Sequence, residues 1–306
     1  MKQTSLWAAL LAALLLGGGL ASCQHGDTDG TAAADSTASA TALPAADLRA
    51  TRTQGGVTYT LLADYPMGGN ALLLRSVREW MNECLGGSYA GSLADTTALA
   101  DHYVQRALAA AKEGGGTDEE LAASHWEEES EFRRVYEDDS LITYAHKLYL
   151  YMGGAHGSSA YVGMTFRKSD GHRFGWNMMM HKGPMLNDVL KAGLKAYFKV
   201  TTDAELNDQL LLAETWRDAS ALPQPNTEPW LEGDGLHFIY QQYEIAPYAA
   251  GMPAVVVPLD EARKLLNTTV LPCLPQAPAK GHGQETSFLR RVLHNLHGGC
   301  SSCSHG

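Results

Sequence analysis

Positive charge is scarce in this chain of 306 residues. It has 23 Lys and Arg against 34 Asp and Glu, a net charge of −11. That balance makes the chain a poor candidate for sequence-independent nucleic-acid binding, which needs clustered cations. After the first twenty or so residues, no apolar run reaches the roughly 20 residues that a bilayer span takes. A polytopic membrane protein is therefore excluded. Nucleophile and phosphate-cradling signatures are missing as well. Gly87-Ser88-Tyr89-Ala90-Gly91 has the wrong spacing for a nucleophile elbow, and no Ser-x-x-Lys, His-Glu-x-x-His or P-loop occurs. No internal repeat is visible. What is there is a globular composition, 45% apolar and 19% charged, with the length of about two average domains.

The N-terminus reads as an address. Lys2 is a positive n-region, Leu6 to Leu16 an apolar h-region, and Leu20-Ala21-Ser22-Cys23 closes it. Those four residues resemble the lipobox of bacterial lipoproteins. The resemblance implies removal of residues 1–22 as a signal peptide, acylation of Cys23 and attachment to an envelope membrane, the outer membrane in a Gram-negative cell. Stable anchoring takes more than one acyl chain. Residues 23–46 then read as a disordered tether. They have no aromatic and almost no large aliphatic side chain, so they cannot bury a core.

The remainder reads as α+β, an antiparallel sheet meander with flanking helices. A first strand is expected at Val57–Leu62. Val77, Trp80, Met81, Cys84 and Leu85 recur with helical spacing behind Asn70 as N-cap, and Gly86-Gly87 stops that helix. A second helix is expected from about Asp95 to Lys112. Thr117 to Glu120 is a capping box for a short third one. The period then becomes two. Glu131–Tyr136, Leu141–Met152, Ala160–Arg167 and Arg173–Asn177 read as successive antiparallel strands, with Asp170-Gly171 a strong hairpin signal. Helices follow at Pro184–Phe198 and about Asp203–Ala213, strands at Leu236–Tyr240 and Ala254–Val257, and short helices at Leu259–Leu266 and about Gln284–Leu296. Runs of helices and runs of strands argue against a doubly wound parallel sheet.

Two segments carry a family resemblance: Tyr151-Met152-Gly153-Gly154-Ala155-His156-Gly157, and Gln242-Tyr243-Glu244-Ile245-Ala246-Pro247-Tyr248-Ala249-Ala250-Gly251 followed by a strand and Pro258-Leu259. At this separation they resemble the domain of unknown function 3298 family. Its members include the ectodomain of the lysozyme-sensing anti-sigma factor RsiV and a module beside the catalytic domain of the peptidoglycan deacetylase PdaC. The resemblance covers about residues 140–268 and implies a fold and an envelope location. For some members it implies recognition of an extracytoplasmic protein or of the cell wall. The chain departs from the family at Gly175 to His181, and the metal-binding motifs of polysaccharide deacetylases are missing. The division expected is 47–139 as an N-terminal α+β subdomain, 140–268 as the family-like domain and 269–306 as a C-terminal helix with a Cys/His tail.

The same segments supply the candidate ligand-binding residues: Tyr151, Gly153, Gly154, His156, Tyr243, Glu244 and Tyr248. Paired glycines permit a positive-φ turn or a close ligand approach, and His156 can titrate or bind a metal. Tyrosines with one carboxylate suit protein or glycan recognition. Structural readings stand beside these: a hairpin turn for the glycines, and for Glu244 a carboxylate tying backbone amides at a bend shaped by Pro247. Met178-Met179-Met180 reads as gap-filling core. The acidic run Glu127-Glu128-Glu129 with Glu131 reads as a solvated strand edge that could attract a basic protein. In the tail, His294 and His297 share a helix face ahead of Cys300 and Cys303, a donor set that suits zinc. A disulfide or a redox pair is the alternative there. Cys84 falls on an apolar helix face. Without Cys23, four cysteines allow three pairings, Cys84–Cys273 with Cys300–Cys303 being one. The function expected is non-catalytic binding of a lysozyme-like protein or a cell-wall ligand. A metal-binding lipoprotein, or a cell-wall hydrolase built on His156 and Glu244, is the alternative.

Overall fold

In the computed structural model, residues 42–113, 117–211 and 222–275 are described. Residues 1–22, expected as a signal peptide, Cys23, and the tail residues His294, His297, Cys300 and Cys303 lie outside them. Gly55 and Gly56, with φ of 59° and 79°, form a two-residue turn joining β1 (Ala45–Gln54) to β2 (Val57–Pro66). Two successive positive-φ residues match the right-handed twist of paired strands. β1 was not expected from sequence, because Leu48 is its only large aliphatic residue. Its formation corrects the C-terminal limit of the tether. Leu43 is buried, its N–H donates to a carboxylate oxygen of Glu137 at 2.8 Å, and its carbonyl accepts from Arg134 at 2.7 Å.

The chain then leaves the sheet for α1 (Ala71–Cys84), α2 (Thr96–Glu113) and α3 (Asp118–Ser124). Asn70 caps α1 through its side-chain oxygen, and Thr117 with Glu120 forms the capping box of α3. The chain returns as β3 (Trp126–Glu137), parallel to β2. β4 (Leu141–Tyr151), β5 (Ser158–Arg167) and the two-residue β6 (Arg173–Phe174) continue as the expected meander, giving a six-stranded sheet in sequence order. That sheet runs across residues 139 and 140 through the β3–β4 pairing. It also corrects the reading of the acidic run. Glu127 to Glu131 belong to β3, an interior strand bonded on both sides.

α4 (Pro184–Phe198) has the expected limits, while α5 (Asp203–Gln209) is shorter than expected. A second sheet has the order β7 (Trp230–Glu232), β8 (Gly235–Ile239), β9 (Ala254–Val257). α6 closes at Leu259–Ala262. β7 escaped the sequence reading, since three residues carry no period.

Period-two alternation sends Tyr59, Leu61, Phe132, Tyr144 and Phe166 to one face of the large sheet, against Val77, Trp80 and Tyr103 of the helices. Trp80 meets Phe132 and Phe166 edge-on, at centroid distances of 5.9 and 6.0 Å. On the other face Trp230 and Ile239 of the small sheet pack on Ala145 and Tyr161. Gly163 makes this possible, since a Cβ there would lie 2.3 Å from the Trp230 ring. The outer face of the small sheet packs on α4, with Leu190, Leu194, Phe238, Val255 and Val257 in one cluster that also takes in Met178 and Met179. Met180 is exposed. Cys84 and Cys273 are free thiols, so the pairing of these two is not formed.

Candidate ligand-binding surface

β4 ends at Tyr151, and the chain turns through Gly153 (φ 76°) and Gly154 (φ 119°) before β5 begins at Ser158. The Tyr151 hydroxyl closes this turn by donating to the Gly154 carbonyl at 3.0 Å. β6 pairs only with Thr165 and Phe166 of β5. The earlier part of that strand edge is met by side chains of the second motif. Gln242 Oε1 accepts from the Ser159 N–H at 2.8 Å. Gln241 accepts from the Tyr161 N–H at 2.9 Å and donates to the Tyr161 carbonyl at 2.8 Å, as a neighbouring strand does. The structure thus brings together two segments some ninety residues apart, and two glutamines join them. Gln241 was not singled out from sequence; an amide side chain just past a strand is too common to signal docking.

Once docked, the second motif lays its aromatics over the turn. Tyr248 stacks on His156 with centroids 3.8 Å apart and planes 20° from parallel, and its hydroxyl donates to the Gly157 carbonyl at 3.1 Å. Nδ1 of His156 lies 3.0 Å from the same carbonyl. Tyr243 leans on Tyr248 at 5.8 Å while remaining 56% exposed. Its φ of 64° is an unusual conformation for a bulky residue, and such local strain gathers at functional positions. Tyr149 lies against Gly157 from β4.

Glu244 does not join this surface through its carboxylate. Its two oxygens accept from the backbone N–H groups of Asn226 and Gln241, both at 2.7 Å. Burial raises its pKa, and the two amides oppose that rise. Negative charge comes instead from β3. The register places Glu127 opposite Tyr151 and Glu129 opposite Tyr149, and directly paired residues share a face. A tyrosine row and a carboxylate row therefore run side by side towards the His156–Tyr248 stack. Lys147 offsets Glu129 only at 3.9 Å.

Comparison with known proteins fits this architecture. Residues 180–260 match the DUF3298 family model, described as a protein of unknown function. The match runs from the approach to α4 through β9, so it includes the second motif and not the Tyr151 turn. The fold is that of solved DUF3298 proteins. A family member from Bacteroides fragilis is similar at a TM-score of 0.58 and 21% identity, over 75% of this chain and 96% of that one. A DUF3298 family protein from Pseudomonas aeruginosa is similar at a TM-score of 0.51 and 17% identity, over 77% and 98%. No curated protein matches the chain in sequence.

Proposed function

We propose that the protein is a non-catalytic, lipid-anchored envelope protein that binds a basic extracytoplasmic protein of the lysozyme type. The observation that carries the reading is the pairing of an exposed, conformationally strained tyrosine cluster with a carboxylate row on an adjacent strand. Tyrosine offers large, rigid, amphipathic contact area at low entropic cost. The carboxylates and the net charge of −11 supply attraction at a distance for a cationic partner. Both Glu244 oxygens are committed to backbone amides, which favours recognition over acid–base chemistry at this bend. Acylation of Cys23, which the lipobox-like Leu20-Ala21-Ser22-Cys23 supports, would hold the protein at an envelope membrane, where such a partner is met.

Calorimetric titration of the lipid-free chain from Gln24 onward with lysozyme, at two salt concentrations, tests the reading. Saturable binding that weakens with salt supports it. Binding to muropeptides without binding to lysozyme replaces the protein partner by a cell-wall ligand. Silence with both defeats the proposal.

A further inference from the structure

The β7–β8 hairpin holds a second cluster of reactive side chains, separate from the tyrosine surface. Trp230 pairs with His237 and Glu232 with Gly235 across the hairpin, and Asp234 sits in its turn. Glu232 is 4% exposed and His237 is fully buried, whereas the Asp234 side chain is 44% exposed. His237 Nε2 lies 2.6 Å from Asp234 Oδ1. The other ring nitrogen, Nδ1, has no hydrogen-bond partner and faces Glu232 Oε1 at 3.9 Å. Trp230 Nε1–H donates to that same oxygen at 2.9 Å, which fixes the carboxylate and leaves it lone pairs to spare.

A buried carboxylate and an unsatisfied buried ring nitrogen facing each other form a costly arrangement unless something positive lies between them. Among the described residues, no Lys or Arg forms an ion pair with Glu232. One ligand atom from each of Glu232, Asp234 and His237 lies within 4.8 Å of the other two. Two donors bound to one zinc ion at about 2.0–2.2 Å stand roughly 3–3.5 Å apart. The 3.9 Å gap between Nδ1 and Oε1 therefore admits an ion after a shift of a few tenths of an ångström.

We propose that Glu232, Asp234 and His237 form a binding site for one divalent cation of the zinc class. His237 Nδ1 and the Glu232 carboxylate are its ligands. Asp234 holds the ring through Nε2, the arrangement that commonly backs a metal-bound imidazole. Two further donors, waters in the simplest case, would complete a tetrahedral shell. An imidazole nitrogen among carboxylates suits zinc better than calcium, which takes an all-oxygen shell.

The test is zinc titration of the lipid-free chain from Gln24 onward, carrying His294→Ala, His297→Ala, Cys300→Ser and Cys303→Ser so that neither Cys23 nor the tail contributes a ligand. One zinc per chain is expected by calorimetry and by elemental analysis after dialysis, with a raised thermal midpoint. His237→Ala should abolish both effects. Should His237→Ala fail to fold, Asp234→Asn on the exposed turn decides the matter. It should keep the circular dichroism of its parent and weaken zinc binding about 10- to 100-fold. Absence of stoichiometric zinc in the parent, or affinity unchanged in Asp234→Asn and Glu232→Gln, overturns the site.

Discussion

The two faces of the six-stranded sheet are built by the same alternation and used differently. One face is roofed by helices, and Tyr59, Leu61, Phe132, Tyr144 and Phe166 meet them. The other is roofed only in part, where Trp230 sits over Gly163. Beyond that roof it presents Thr58, Thr60, Glu127, Glu129, Tyr149 and Tyr151 in register. Thr51 with Thr60 and Thr53 with Thr58 form cross-strand hydroxyl contacts at 3.3 and 3.0 Å that keep this face polar. Adjacent residues of β3 therefore serve different ends. Glu128 points with Phe132 towards the helices, Glu127 and Glu129 towards the open side. Apolar burial on one face stabilises the fold, which frees the other to carry charge and aromatics suited to a partner.

Substitutions should separate the two faces. The largest losses belong to the roofed areas. Phe132→Ala and Trp230→Ala should each cost about 3–5 kcal/mol, read as a lowered urea midpoint. Gly163→Val should cost about 1–3 kcal/mol or more, because it drives a side chain into the Trp230 ring. Glu128 gives a pH-dependent contrast. Burial pushes its carboxyl from the ordinary 4.5 up to about 7, against the pull of Arg106. The folded state then holds the proton more tightly than the unfolded chain. Its contribution is most favourable below pH 4.5, falls as pH rises towards 7 and is flat beyond. Glu128→Gln should therefore gain about 1–3 kcal/mol at pH 8 and show no gain at pH 4, in urea melts at both values. Glu129→Gln and Thr60→Ala on the open face should stay within about 0.5 kcal/mol of wild type at either pH. An open-face change as costly as Phe132→Ala would erase the contrast between the faces.

Much of this was legible in the sequence. Long periodic segments announced themselves: α1 through Val77, Trp80 and Met81, α4 between Pro184 and Phe198, and the meander from β3 to β6. The two motifs, Tyr151 to Gly157 and Gln242 to Gly251, were legible as segments, and the structure sets them side by side. Other features were hidden for physical reasons. β1 forms through a Gly-Gly turn and backbone pairing, not through an apolar pattern. The acidic run looked like an edge because consecutive glutamates give no apolar alternation to mark a strand paired on both sides. The Glu232–Asp234–His237 cluster could have been suspected from Asp234-Gly235, a hairpin signal that brings residues on either side of it together. Docking of Gln241 and Gln242 on β5 depends on a strand edge eighty residues earlier, which no local pattern encodes.

In our proposal the open face and its tyrosine cap recognise a basic protein. The most direct measurement compares lysozyme affinity of the wild-type chain with that of Tyr243→Ala combined with Glu127→Gln, both residues being exposed and outside the cores. At least a tenfold loss of affinity with an unchanged thermal midpoint is the expected result. Equal affinity in the two proteins would contradict the assignment of this surface.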